Sequence, residues 1–362
     1  MRTLFDQTQF AGLKLKNRFV RSATNDGFAD GRGHVTPELM QIYEGLAKGG
    51  VGTIITGLTY VSHREQPYPG QMGIYDDSFI EDYKPLTDAV HRYEANIIVQ
   101  LVSVGTQTRH PENGGKVIWG PSAVEDAAYK NTPKEMTVED IGFVQQAFAE
   151  GAMRAKKAGF DGVQMHVAHG YLLSKFLTPY YNRRTDAYGG SLENRARMIT
   201  ETYQAIREKV GADYPVLVKI NSEDFMEQGL TAAECVEVCE WLAELGIDAI
   251  EVSGGSSSSR PNEGPARNRM QESYFQSHAA AIAEAVQVPI IAVGGHREFA
   301  SLTDIVNQTA IEYLALSRPL IRETDLINRW QQGDLARSKC ASCNKCFRND
   351  GTRCIFVERN VG

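Results

Sequence analysis

The residues best suited to chemistry stand together in the stretch Gly162-Val163-Gln164-Met165-His166-Val167-Ala168-His169-Gly170-Tyr171. Two imidazoles three positions apart, His166 and His169, offer hydrogen-bond donors to one electron-rich atom, and the phenol of Tyr171, with a free-residue pKa near ~10, offers a proton. Two other readings share the spacing. HxxH can supply two metal ligands, and a histidine at a strand end can be a satisfied structural residue. No carboxylate or third histidine follows at metal-site spacing, which ranks metal last.

Other charged and polar residues carry information by position. Lys219 ends the otherwise apolar run Val216–Asn221, and a lysine there is costly unless it reaches a cavity or an anion. Glu223 or Asp224 could pair with it structurally; a cofactor anion, read together with Gln100, fits at least as well. Further on, Ala292-Val293-Gly294-Gly295-His296-Arg297 and Ala315-Leu316-Ser317-Arg318-Pro319 each follow a short apolar run. Gly294 and Gly295 allow close backbone approach, and Arg318 can grip an anion with two donors. Either loop alone reads as a glycine turn or a surface arginine. Together, after consecutive strands, they read as a phosphate site.

These residues need elements to hold them, and the chain alternates strand-like and helix-like segments throughout. Strands are expected at 17–24, 51–59, 95–103, 162–168, 216–221, 249–254, 289–294 and 313–317. Helices are expected at 36–48, 78–93, 137–158, 191–210, 231–245, 273–286, 299–308 and 322–332, several opened by Thr or Ser N-caps. Eight strand-helix units with strands apolar on both faces predict a closed (β/α)8 TIM barrel, with a doubly wound open sheet as the alternative. The barrel is placed at residues 1–335 and a short cysteine-containing extension at 336–362. At the strand ends then stand Ser22, Ala23, Thr24 and Asn25, Gly57, Gln100, His166 with His169, and Lys219. The loops 104–137 and 256–269 are expected to shape the substrate entrance.

Composition narrows the partners. A net charge of −7 with scattered Lys and Arg argues against a nucleic-acid partner. The N-terminus lacks an apolar leader and no uncharged run is long enough to span a bilayer, so a cytoplasmic protein without a membrane partner is expected. A homo-oligomer is the expected assembly. Of the six cysteines, Cys235 and Cys239 lie one turn apart on an expected helix, while Cys340, Cys343, Cys346 and Cys354 crowd the C-terminus. In a reducing compartment that crowding suggests metal or redox chemistry before disulfides.

Two stretches carry a family pattern. LFDQTQFAGLKLKNRFVRSAT, from Leu4, and HVAHGYLLSKFLTPYYNRRTDAYGGSLENR, from His166, resemble the signatures of the old yellow enzyme family of FMN-dependent oxidoreductases, over roughly nine-tenths of the chain. The resemblance implies FMN and NADH or NADPH as reductant. It implies Ser22, Ala23, Thr24 and Asn25 around the flavin edge, Gly57 beside it, and Gln100 on its pyrimidine portion. It implies Lys219 near N1 and the C2 carbonyl, and Gly294, Gly295, Ser317 and Arg318 at the phosphate. His166 and His169 would grip the oxygen of an electron-poor alkene, and Tyr171 would deliver its proton. Asn25 stands where many members carry Thr or Cys, and Ala23 where a proline is common.

Cys340, Cys343 and Cys346 are similar in spacing to the start of the 4Fe-4S site of larger relatives of the trimethylamine dehydrogenase and 2-enoate reductase type. The fourth cysteine, Cys354, comes after a shorter interval than theirs. A cluster is therefore an alternative and not the favoured expectation, with zinc or free thiols beside it. The leading expectation is a flavin-dependent reductase of activated double bonds. The alternatives are an iron-sulfur flavoprotein, or a flavin-free barrel lyase or isomerase acting on a sugar phosphate.

Overall fold

The computed structural model describes residues 1–65, 68–108, 116–259, 270–348 and 350–358. Eight parallel strands close into a barrel in chain order: Phe19–Arg21, Thr53–Tyr60, Asn96–Val102, Gly162–Val167, Val216–Asn221, Ala249–Ser253, Ile290–Val293 and Tyr313–Leu316. The last pairs with the first, Leu314 opposite Phe19, which leaves the barrel sheet without an edge. The strands are buried on both faces because one faces the lumen and the other the helices.

The lumen has two chemically different ends. Toward the strand N-termini it is filled by Val20, Ile55, Ile98, Leu217, Ala249, Ile291, Tyr313 and Ala315, joined by Phe10 and Leu15. Those last two come from an antiparallel hairpin, Thr8–Phe10 with Leu13–Leu15, that caps this end; Phe10 meets Tyr313 edge-on at 5.4 Å between centroids. Toward the strand C-termini the inward residues are Ser22, Gln100, Gln164, His166, Lys219 and Glu251, all buried. This end presents the polar groups that a ligand could meet.

The helices start where their caps dictate. Thr36 accepts from Leu39 N–H ahead of Pro37–Lys48, and Thr137 with Asp140 and Thr231 with Glu234 form reciprocal capping boxes ahead of Val138–Lys157 and Ala232–Glu244. Such a cap is worth ~1 kcal/mol. Two expectations change. The last helix, expected over 322–332, is divided into Arg318–Arg322 and Leu326–Gln331, because Glu323 leaves helical geometry with φ −138° and ψ 92°. The first strand is three residues long, so Ser22, Ala23, Thr24 and Asn25 form the loop that leaves it.

Within the entrance loops, Trp119–Gly120 pairs with Lys134–Glu135, while residues 109–115 and 260–269 lie outside the described residues. The segment after Gly333 folds back on the strand C-termini. Ser338 N–H reaches Arg297 O at 2.9 Å, Thr352 N–H reaches Asp26 O at 2.7 Å, and Thr352 Oγ1 donates to Asn25 O at 2.6 Å. Among the described residues no helix is long and apolar enough to cross a membrane.

Candidate active site

The fourth strand, Gly162–Val167, delivers His166 to the barrel mouth, and the chain then turns through two consecutive left-handed residues, His169 at φ 62° and Gly170 at φ 81°. That conformation is unfavourable for a histidine, so the turn has to be held from outside. Asn221 Oδ1 accepts His169 N–H at 3.0 Å, Ser174 Oγ accepts Gly170 N–H at 2.9 Å, and the Gln107 amide donates to His169 O. The result brings three rings together. His166 lies 5.2 Å from His169 at 86° and 4.6 Å from Tyr171 between centroids.

Hydrogen bonding assigns the protons. Ala168 N–H donates to His166 Nδ1 at 3.3 Å, so the neutral ring carries its proton on Nε2, which has no protein partner among the described residues. His169 Nε2 is engaged by Ser253 Oγ at 2.7 Å. The two imidazoles therefore do not present the same nitrogen in the same way: His166 offers Nε2–H, and His169 has its Nδ1 side left for a ligand. Burial first, then neighbouring His169 and Lys219, depress the His166 pKa well below its ordinary value; burial and Lys219 depress that of His169. Both rings are neutral donors at physiological pH. Burial pushes the Tyr171 phenol up, so it holds its proton.

Below these rings lies a polar floor that joins four strands and the loop leaving the first. Lys219 Nζ donates to Glu251 Oε1 at 2.9 Å and Ser22 Oγ at 2.8 Å; Ser22 Oγ donates to Glu251 Oε1 at 2.5 Å. Gln164 Nε2 reaches Glu251 Oε2 at 2.8 Å, and Gln100 Nε2 reaches Gln164 Oε1 at 2.7 Å. This corrects the expected partners of Lys219. Asp224 is taken by Asn221, Thr178 and Leu230 N–H, and Glu223 faces His278 at 3.7 Å. Glu251 and Gln164 were not singled out from the sequence. The signal was present: a lone carboxylate inside Ala249–Ser253 has to be paired for the same reason as Lys219.

The loop 22–25 is fixed from both sides. Ser22 N–H bonds Leu316 O at 3.0 Å, and Thr24 Oγ1 and Ser317 Oγ lie 2.8 Å apart. Ala23 packs against the apolar lumen, and the Asn25 carbonyl is held by Thr352. Gly57 is required sterically, since a Cβ there would lie 2.7 Å from Thr24 O, a backbone atom. Its N–H donates to Tyr43 Oη at 2.7 Å, and Tyr43 in turn donates to Asp26 at 2.9 Å.

The phosphate-type residues meet after the seventh and eighth strands. Gly294 (φ 120°), Gly295 (φ 79°), Ser317 and Arg318 line one small cleft with Tyr274 and Arg297. A Cβ on Gly294 would stand 2.6 Å from the Tyr274 ring and one on Gly295 2.5 Å from Gln271 O, so only glycine keeps the cleft open. Arg318 contacts Asn344 Oδ1 at 2.5 Å and Tyr274 Oη at 3.5 Å, with its guanidinium at the cleft wall. Arg297, which closes the glycine loop read from the sequence but was given no role of its own, ties the cleft to Ser342 at 3.0 Å; Tyr274 carried no motif in the sequence. A glycine cradle with an arginine, an amide side chain and a buried ammonium at the polar end of one barrel match the donor set of an FMN site.

Cys340, Cys343, Cys346 and Cys354 line a second cavity that shares Arg318 with the first and adds Arg322 and Lys339. All are free thiols; burial, then the charges of Cys340 and Cys343, raise the Cys346 pKa. Among the described residues no three ligand side chains group closely enough for a single metal ion. Cys235 and Cys239 are buried in Ala232–Glu244 with sulfurs 3.9 Å apart and take no part.

Comparison with known proteins agrees with this geometry. The family model described as "NADH:flavin oxidoreductase / NADH oxidase family" matches residues 3–336. An NADPH dehydrogenase of Bacillus licheniformis is 34% identical over 325 residues, 89% of this chain and 92% of that protein. A cinnamate reductase of Clostridium sporogenes is 31% identical over 369 residues, 95% of this chain and 55% of that protein. The solved 2-naphthoyl-CoA reductase complex superposes with a TM-score of 0.89 at 29% identity, over 95% of this chain and 54% of that one. The chain thus spans about half the length of several relatives it matches. With the barrel, the cradle and the paired histidines in place, the chain belongs to the NADH:flavin oxidoreductase / NADH oxidase family, the old yellow enzymes, which are FMN-carrying oxidoreductases reduced by NAD(P)H.

Proposed function

We propose that the protein reduces carbon-carbon double bonds conjugated to a carbonyl or carboxyl group, with FMN held at the mouth by Ser22, Ala23, Thr24, Asn25, Gly57, Gln100, Lys219, Gly294, Gly295, Ser317 and Arg318. Bound FMN, recharged by NADH or NADPH, supplies a hydride to the β-carbon of the alkene. The chain's own residues do the rest. His166 Nε2–H meets the substrate oxygen as negative charge develops on it, and His169 braces the other side from its Ser253-anchored ring. Because both imidazoles are neutral and largely desolvated, their dipoles act in a low-dielectric site and need no reorganisation as charge builds. Tyr171 keeps its proton at neutral pH and stands against His166, where it can pass that proton to the α-carbon, completing addition of one hydride and one proton.

The observation that carries this reading is the hydrogen bond of Ala168 N–H to His166 Nδ1, which leaves Nε2–H without a protein partner among the described residues. Relatives named cinnamate reductase and 2-naphthoyl-CoA reductase support a conjugated acid or acyl thioester as substrate class. The test is anaerobic reduction of the yellow protein with each nicotinamide, followed by a panel of cinnamate-like acids, their thioesters and enones. His166→Ala should lower alkene turnover ~10²–10³-fold, the loss typical of one oxyanion donor, while FMN content stays the same. Wild-type protein that binds FMN but turns over no member of the panel overturns the substrate class. A second reading, an iron-sulfur flavoprotein, draws on one observation, the four thiols around a single cavity. Iron and acid-labile sulfide in anaerobically purified protein would support it.

A further inference from the structure

The carboxylate of Glu251 is wholly buried, and no step derived above uses it. It accepts three hydrogen bonds, from Lys219 and Ser22 on Oε1 and from Gln164 on Oε2, and Gln164 in turn accepts from the amide of Gln100. A carboxylate in an ion pair has acceptors and no donors, so Gln164 must turn its NH2 toward Glu251. Its carbonyl therefore faces Gln100, which must answer with its own NH2. Gln100 is left with its carbonyl oxygen as the acceptor it can show to a ligand. The direction of the whole amide chain is set at Glu251.

The same carboxylate acts on charge. Lys219 stands at 2.9 Å from Glu251 in a buried environment, where opposite charges screen one another strongly. The ammonium that reaches a flavin is therefore already partly neutralised. We infer that Glu251 is a flavin-positioning residue that fixes which atom Gln100 shows to the ring and attenuates the charge of Lys219, and so holds the FMN reduction potential down. The inference rests on FMN lying where the preceding section places it. Two-electron reduction by hydride adds negative charge to the ring, so an unattenuated cation nearby would favour the reduced form.

The experiment compares FMN-loaded wild type with Glu251→Gln, an uncharged side chain of the same shape, by dye-equilibrated reductive titration. The equilibrium constant for reduction is expected to rise at least about tenfold, which for a two-electron couple is ~30 mV. Glu251→Asp, which keeps the charge but draws it back from Lys219, should shift the potential the same way by less; it decides the matter alone if Glu251→Gln does not retain FMN. An unchanged or lowered potential in the variants, with flavin bound, overturns the role of Glu251. Wild-type protein that takes up no FMN overturns the flavin placement itself.

Discussion

Glu65 makes the stability of this barrel depend on pH in a way that can be worked through from its surroundings. Its side chain is buried in the loop after the second strand. Oε1 accepts Ser103 Oγ at 2.6 Å and Gly105 N–H at 3.2 Å, while Oε2 is buried with no partner among the described residues. Burial outweighs these hydrogen bonds and pushes the carboxyl from its ordinary 4.5 up to about 7. At ~1.4 kcal/mol per pH unit, the contribution is of order 3 kcal/mol. The folded-state pKa is raised, so the stability is fully present below pH 4.5, falls as pH rises through about 7, and is gone above it.

Glu65→Gln removes the titration but keeps the shape. The amide oxygen can still accept from Ser103 and Gly105, but its NH2 would enter the unpartnered Oε2 position, a cost of ~1–3 kcal/mol. The absolute stability of the variant is therefore a poor readout; its pH slope is the good one. Urea unfolding of both proteins at several pH values between 4.5 and 8 should show the wild type losing about 3 kcal/mol more than the variant across that range. Taking the difference cancels the other titrating groups, His166 and His169 included, because both proteins carry them. Parallel profiles would refute the reasoning and mean that Glu65 is hydrated or stays ionised in the folded protein. The loop matters to the site, since Ser103 also holds Leu172, the residue after Tyr171.

Three more substitutions probe other parts of the frame. Gly57→Ala forces a Cβ to within 2.7 Å of Thr24 O, so the loop 22–25 must move; FMN content on purification should fall, with ~1–3 kcal/mol lost in thermal or urea unfolding. Asp126→Asn leaves the ammonium of Lys175, itself only 2% exposed and stacked 3.8 Å over Tyr181, without its counter-charge. It should cost ~3–5 kcal/mol, and the double variant Asp126→Leu with Lys175→Met should recover much of it. Tyr171→Phe keeps the contact with His166 but removes the proton. Alkene reduction should slow ~10²–10⁴-fold while reduction of the flavin by NAD(P)H keeps its rate, measured by stopped flow.

What the sequence disclosed and what it withheld divide along a physical line. Strand identity, helix starts and the glycines of the cradle are settled within a few residues, by apolar runs, side-chain caps and positive φ, and these were legible. The partner of Lys219 was not. The need for a counter-ion could be read from an ammonium in an apolar strand, but proximity in sequence pointed to Glu223 and Asp224, whereas Glu251 lies 32 positions away on the neighbouring strand. Barrel register places Glu251 directly opposite Lys219, and Lys219 opposite His166. Register is a property of closure, set when Leu314 meets Phe19 on the far side of the barrel, and no local window contains it. The left-handed turn at His169 is of the same kind. A histidine at φ 62° is not encoded by its own neighbours; Asn221 on the fifth strand and Gln107 beyond the third impose it. Site geometry here is therefore a consequence of closing the barrel, and a substitution that shifts register should disturb the histidines before it unfolds any single strand.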